Sequence, residues 1–146
     1  TGVLTFVQHT TTTTITTMAS TVNRVARPFY NVSADVSGGS QRIYYEKLFA
    51  KNTDSTHSLL TAEISKSADP SGDLTFWVTG SVNDTGTATN RQTAPSGSSF
   101  SSSQQGTATT DLAAGAAQGV WWALTLAAGA AAQITTFTPE ISGSTT

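Results

Sequence analysis

The segment from Leu112 to Gln133 reads LAAGAAQGVWWALTLAAGAAAQ, so that one phrase, LAAGAA, stands on either side of GVWWALT. Alanine is the strongest intrinsic helix former, and a helix therefore competes for this stretch. Gly115, Gly119 and Gly129 interrupt it, and Val120, Trp121, Trp122 and Thr125 suit a pleated surface better than a helix. The segment reads as two turns around a strand. On that strand Val120, Trp122, Leu124 and Leu126 share one face, expected to be the core face, with Trp121, Ala123 and Thr125 opposite.

Other segments carry the same two-residue period. In RIYYEKLFAKN, from Arg42, Ile43, Tyr45, Lys47 and Phe49 fall on one face, and Tyr44, Glu46, Leu48 and Ala50 on the other. After the polar turn NTDSTHS, LLTAEIS places Leu60, Ala62 and Ile64 together against Leu59, Thr61 and Glu63, and the two runs are expected to pair as an antiparallel hairpin. ADPSGD is turn chemistry around Pro70 and Gly72, and a strand, LTFWVTG, follows from Leu74. Asn83 to Thr110 is polar apart from Phe100 and reads as a solvated loop with a short strand near that residue. ITTFTPEIS contains Pro139, which cannot donate to a ladder, so the last strand is expected at a sheet edge or a bulge.

The first 28 residues contain TTTTTITT and no periodic face long enough to bury by itself. β-Branched threonine favours extended backbone, so residues 1–28 are read as an extended arm and residues 29–146 as the body. The arm's apolar positions Val3, Leu4, Phe6, Val7 and Ile15 are the candidate contacts, either with another subunit or with the chain's own body. Several short strands, separating turns and no long helix predict an all-β fold, an antiparallel immunoglobulin-like β-sandwich, with a barrel as the alternative.

Composition removes several function classes. The chain has 146 residues, enough for one domain with a two-layer core. Charged residues are 11% of it, with a formal net charge of -2, which argues against the basic footprint of a nucleic-acid binder. There is no cysteine, hence no disulfide, thiolate metal site or cysteine nucleophile. The apolar run Val120 to Ala132 falls short of a membrane span, which needs about 20 residues. The opening TGVLTFVQH has no basic n-region, as expected after loss of a signal or of Met alone.

Few groups are placed for chemistry. His9 and His57 would meet only if the arm folded onto the NTDSTHS turn, and Asp69 and Asp73 flank a turn that either holds Ca²⁺ or is simply capped by Asp69. No phosphate loop and no GxSxG elbow is present, and no cofactor is expected. Asn31-Val32-Ser33 and Asn83-Asp84-Thr85 match the glycosylation triplet. Tyr44 and Trp121 are the candidate interface aromatics, for a protein partner or a glycan, unless the arm or a loop covers them.

Taken together, IYYEKLFAKN, ADPSG, NRQTAPSG, LAAGAAQGVWW and TLAAGAAA resemble the wording of small β-rich virion proteins of tailed bacteriophages, of the capsid decoration or cement kind. The resemblance spans about Gln41 to Gly143. It implies a non-enzymatic protein on the outside of the phage head, bound to the major capsid protein and to other copies of itself, often as a trimer, with no nucleic-acid or membrane partner. An immunoglobulin-like adhesin or tail-associated module that binds host glycan is the alternative.

Overall fold

The computed structural model describes residues 4–8, 15–16, 28–29, 32–35, 37, 39–67, 72–102, 105–106, 111–131 and 137–145. The strands are β1 (Leu4–Gln8), β2 (Ile15–Thr16), β3 (Arg42–Asn52), β4 (Leu59–Ser67), β5 (Leu74–Val82), β6 (Gln105–Gly106), β7 (Ala117–Leu126) and β8 (Thr138–Thr145). They form two antiparallel sheets, one in the order β2-β1-β3-β7-β5 and the other β6-β4-β8. Among the described residues all regular structure is β, and no helix is long and apolar enough to cross a membrane.

β7 is flanked by long strands on both sides in the larger sheet, as its apolar content requires. It pairs with β3 from Arg42↔Leu126 to Lys51↔Ala117, and with β5 from Leu74↔Leu124 to Val82↔Gln118. The register sets Leu48, Val120, Val78 and Phe76, Trp122 side by side on the face that meets the smaller sheet, which supplies Leu59, Ala62, Ile64 and Ile141. Phe76 stacks on Trp122 at 5.1 Å, and the Phe137 ring packs tilted against the same indole at 4.8 Å. Large side chains buried this completely contribute roughly 1.5–3 kcal/mol each.

The repeated phrase forms two equivalent turns. Ala116 N–H donates to Ala113 O and Ala130 N–H to Ala127 O, with Gly115 (φ 75°) and Gly129 (φ 70°) in the third position of each. That geometry is the type II turn, whose third residue needs positive φ. The glycine N–H groups bind outward: Gly115 to Asn52 O at the end of β3, Gly129 to Asp35 O ahead of its start. One phrase, used twice, thus ties one end of β7 to β3 and the other to the segment ahead of β3.

Two expectations are corrected. β3 and β4 do not form a hairpin but lie in different sheets. β3 already has β7 along one edge and β1 along part of the other, so β4 buries its apolar face across the core instead of pairing alongside. Asn52 directs the crossing: its buried Nδ2 donates to His57 O and Leu112 O, while its Oδ1 accepts Asp54 N–H. Second, β4 does not alternate cleanly. Leu59 is buried together with Ala62 and Ile64, because Thr61 adopts φ 48° and a register shift inserts one extra residue between Leu60 and Glu63. Gly143 lies opposite this bulge, where a Cβ would stand 2.6 Å from Leu60 O. The region after Asn83 is, as expected, a largely exposed loop with an isolated bridge next to Phe100, but it does not stand away from the body. Residues 83–102 run across the outer face of the larger sheet and reach β5, where Phe76 and Ser101 exchange backbone hydrogen bonds of 2.9 Å. Pro139 does lie on an edge strand, β8.

Candidate functional site

The outer face of the larger sheet holds Lys47 and Phe49 on β3, Trp121 on β7 and Trp77 on β5, all carried there by strand alternation. A lysine in such company needs compensation, since an unpaired buried ammonium costs several kcal/mol. The crossing segment supplies it. Lys47 Nζ donates to the Asp84 carboxylate, to Gly86 O at 2.8 Å and to Asp84 O at 3.3 Å, and it lies over the Phe49 and Trp121 rings at 5.0 and 5.5 Å. Its side chain is 1% exposed. Space for the stem comes from Gly119, where a Cβ would be 2.7 Å from Lys47 Cε. Burial opposes ionisation of Asp84, but the Lys47 hydrogen bond and Gly86 N–H outweigh it and hold the carboxyl below its ordinary range.

Further along, the segment grips the free edge of β3 beyond the end of β1. Tyr45 N–H donates to Arg91 O at 2.7 Å, and Arg91 Nε reaches Glu46 Oε1 at 2.5 Å with its guanidinium 5.8 Å above the Tyr44 ring. Phe100 then packs on Tyr45 at 5.3 Å and Trp77 at 6.4 Å. Residues 83–102 therefore form a strap pinned at Asp84, Arg91, Phe100 and Ser101.

Of the two candidate aromatics, Trp121 is 7% exposed beneath this strap. Tyr44 is 8% exposed and shares the inner face with Glu46 and Trp122, its hydroxyl donating to Ser33 O at 3.1 Å. Neither is an open platform; each is covered by its own chain, the covered arrangement weighed above. On the outer face, half-buried Tyr45, Phe49, Trp77 and Phe100 have surface to offer.

The arm residues are brought to the edge of the larger sheet. β1 pairs with β3 from Leu4↔Asn52 through Phe6↔Ala50 and Val7↔Phe49 to Gln8↔Leu48, and β2 pairs back with Phe6↔Ile15. Val3 lies outside the described residues, as do His9, Asp69 and Asn31, and with them the two-histidine, calcium and first glycosylation readings. Asn83, in the second triplet, accepts Ala117 N–H through its side chain and sits at φ 57°.

The remaining titratable groups hold turns. Asp54 accepts His57 N–H at 2.8 Å and Thr56 N–H at 2.7 Å, and these donors hold its carboxyl well below the usual carboxylate range. The ring Nδ1 of exposed His57 lies 2.9 Å from Thr56 Oγ1 and 3.2 Å from Asp54 Oδ1. Asp35 is lowered likewise, first by the Ser37 hydroxyl. Among the described residues no three His, Asp or Glu side chains gather as metal ligands. Lys47, Asp84, Arg91 and Asn52 were missed as a group by the sequence reading. Their signals were faint: a lysine at an alternating position of an aromatic strand, and a lone arginine in a Ser/Thr-rich run. What this arrangement can do is present rigid sheet edges and a strapped face. Comparisons with protein-family models, with curated proteins and with solved structures returned no match.

Proposed function

We propose that this chain is a non-enzymatic virion structural protein, a capsid decoration protein that binds the outer surface of a phage head and stabilises it through subunit contacts. Its partners are the major capsid protein and other copies of itself, a trimer being the assembly implied by the resemblance. The two-sheet architecture is read as an immunoglobulin-like sandwich. One observation carries the proposal: the N-terminal segment behaves as an added strand, with five consecutive register pairs between β1 and the edge of β3. Strand addition is held by backbone hydrogen bonds and tolerates a threonine-rich sequence. The same segment is equipped to pair with a neighbour's sheet in a lattice of repeated subunits.

The use of ionisable groups agrees with this. Lys47, Asp84, Glu46, Arg91 and Asp54 hold the strap and the turns in place, as a protein working by surface burial requires. The adhesin reading depended on Tyr44 and Trp121 as open stacking surfaces, and both are under cover.

Cosedimentation with phage heads assembled without this chain tests the proposal. Saturable binding at a fixed copy number per head is expected, with affinity reduced when residues 1–26 are deleted. Binding to glycan arrays with no binding to heads would overturn it.

A further inference from the structure

Residues 83–102 leave the end of β5 at Val82, cross β7 to Lys47 on β3, and reach the edge of β3 at Tyr45. They return to β5 at Phe76, with Phe100 laid on Tyr45 and Trp77 on the way. The strap is held at separated points and buries little of itself: Pro95 alone among its residues is fully buried. Its own turns, Thr93 N–H to Asn90 O and Ser98 N–H to Pro95 O, lie between those points. The sheets are secured differently, by continuous ladders and by a core that holds Leu48, Phe76, Val78, Val120 and Trp122. Apolar burial, the main stabilising term in folding, is therefore concentrated in the sheets and small in the strap. Ion pairing does not make up the difference. Lifting the strap returns Lys47 and Asp84 to water, and the hydration they recover offsets most of the attraction given up.

We propose that residues 83–102 are a lid that lifts as one unit while both sheets stay folded, uncovering Trp121, Lys47, the edge of β3 at Tyr45 and the edge of β5 at Phe76 together. Elements with few buried apolar contacts open at a lower free energy than the core that carries them. Lifting requires no strand to move, because β5, before the lid, is held by β7, and β6, after it, by β4. Tyr45 couples the two limbs. Its N–H holds Arg91 O on the outward limb, and its ring holds Phe100 on the returning one, so neither limb leaves without loosening the other. The lid does not depend on what the chain binds, and its failure would leave the virion reading standing.

Two amides report the lid directly, because each donates to it across a sheet edge: Tyr45 N–H to Arg91 O at 2.7 Å and Phe76 N–H to Ser101 O at 2.9 Å. Native-state amide exchange of the unaltered chain in low denaturant is expected to give these two a common opening constant, larger by roughly tenfold or more than that of Val120 and Trp122 within β7. Asp84→Asn acts near the start of the lid and leaves Lys47 uncompensated in the closed state. It should raise the opening constant roughly a hundredfold at Tyr45, and by the same factor at Phe76 at the far end. Tyr45 and Phe76 protected to the same extent as Val120 and Trp122 would overturn the proposal on the unaltered chain alone. So would unequal opening constants at the two amides, or an Asp84→Asn protein in which Tyr45 exchanges faster and Phe76 does not.

Discussion

Lys47 and Asp84 lock the strap to the sheet, and a charge pair of this kind is costly to split. Removing one partner of a buried pair costs more than replacing both, because the survivor is left uncompensated. Asp84→Asn is expected to cost about 3 kcal/mol and lower the melting temperature by about 6–12 °C, with part of the loss recovered on adding Lys47→Met. A thermal melt of the parent and both variants checks this. Asp54 contributes to the acid sensitivity of the fold. Its carboxyl is depressed in the folded chain by the His57 and Thr56 N–H groups, against about 3.9 when unfolded. Its contribution is therefore complete above about pH 4 and is lost as pH falls below that value. Urea titrations from about pH 5 to pH 2 should show stability falling, and less steeply in Asp54→Ala than in the parent. Neither role was legible beforehand. Period two places Lys47 on a face, but its burial depends on Gly119 and Asp84, which reach it only through tertiary folding.

Among the elements, β7 and its flanking turns were readable because each signal is local. Glycine at the third turn position and alternating apolar residues between the turns are properties of adjacent residues. Each LAAGAA glycine holds a positive φ that an alanine adopts at a cost of about 1–2 kcal/mol. Gly115→Ala and Gly129→Ala should each destabilise by about 1 kcal/mol or more. Because the two turns share no partner, the double variant should be additive within about 0.5 kcal/mol, as denaturant unfolding would measure. Alternation failed where it was asked for more than faces. It separated the two faces of β3 but took Tyr44 for the open one, where the structure turns it inward, and it did not give the strand's neighbour, so β4 was paired beside it instead of across the core. Within β4 the bulge at Thr61 moved Leu59 to the buried side, and no residue type near it announces the extra position.

At the scale of the molecule, the two antiparallel sheets share one core, and both the N-terminal strand pair and the 83–102 strap are laid on the larger sheet. The first was read as an extended arm with contacts on another subunit or on its own body, the second as a solvated loop. A backbone ladder lays β1 along β3, and a few anchors, Arg91 and Phe100 among them, hold the exposed strap to the body. In the function proposed above, strand edges and the strapped surface are the means of interaction, and the account rests on those surfaces adding cohesion to an assembly. The most direct test is the rupture temperature of phage heads with and without the bound chain. The account predicts a higher rupture temperature for heads carrying it and a smaller gain for heads carrying protein without residues 1–26; heads that bind the chain in full and rupture at an unchanged temperature would contradict it.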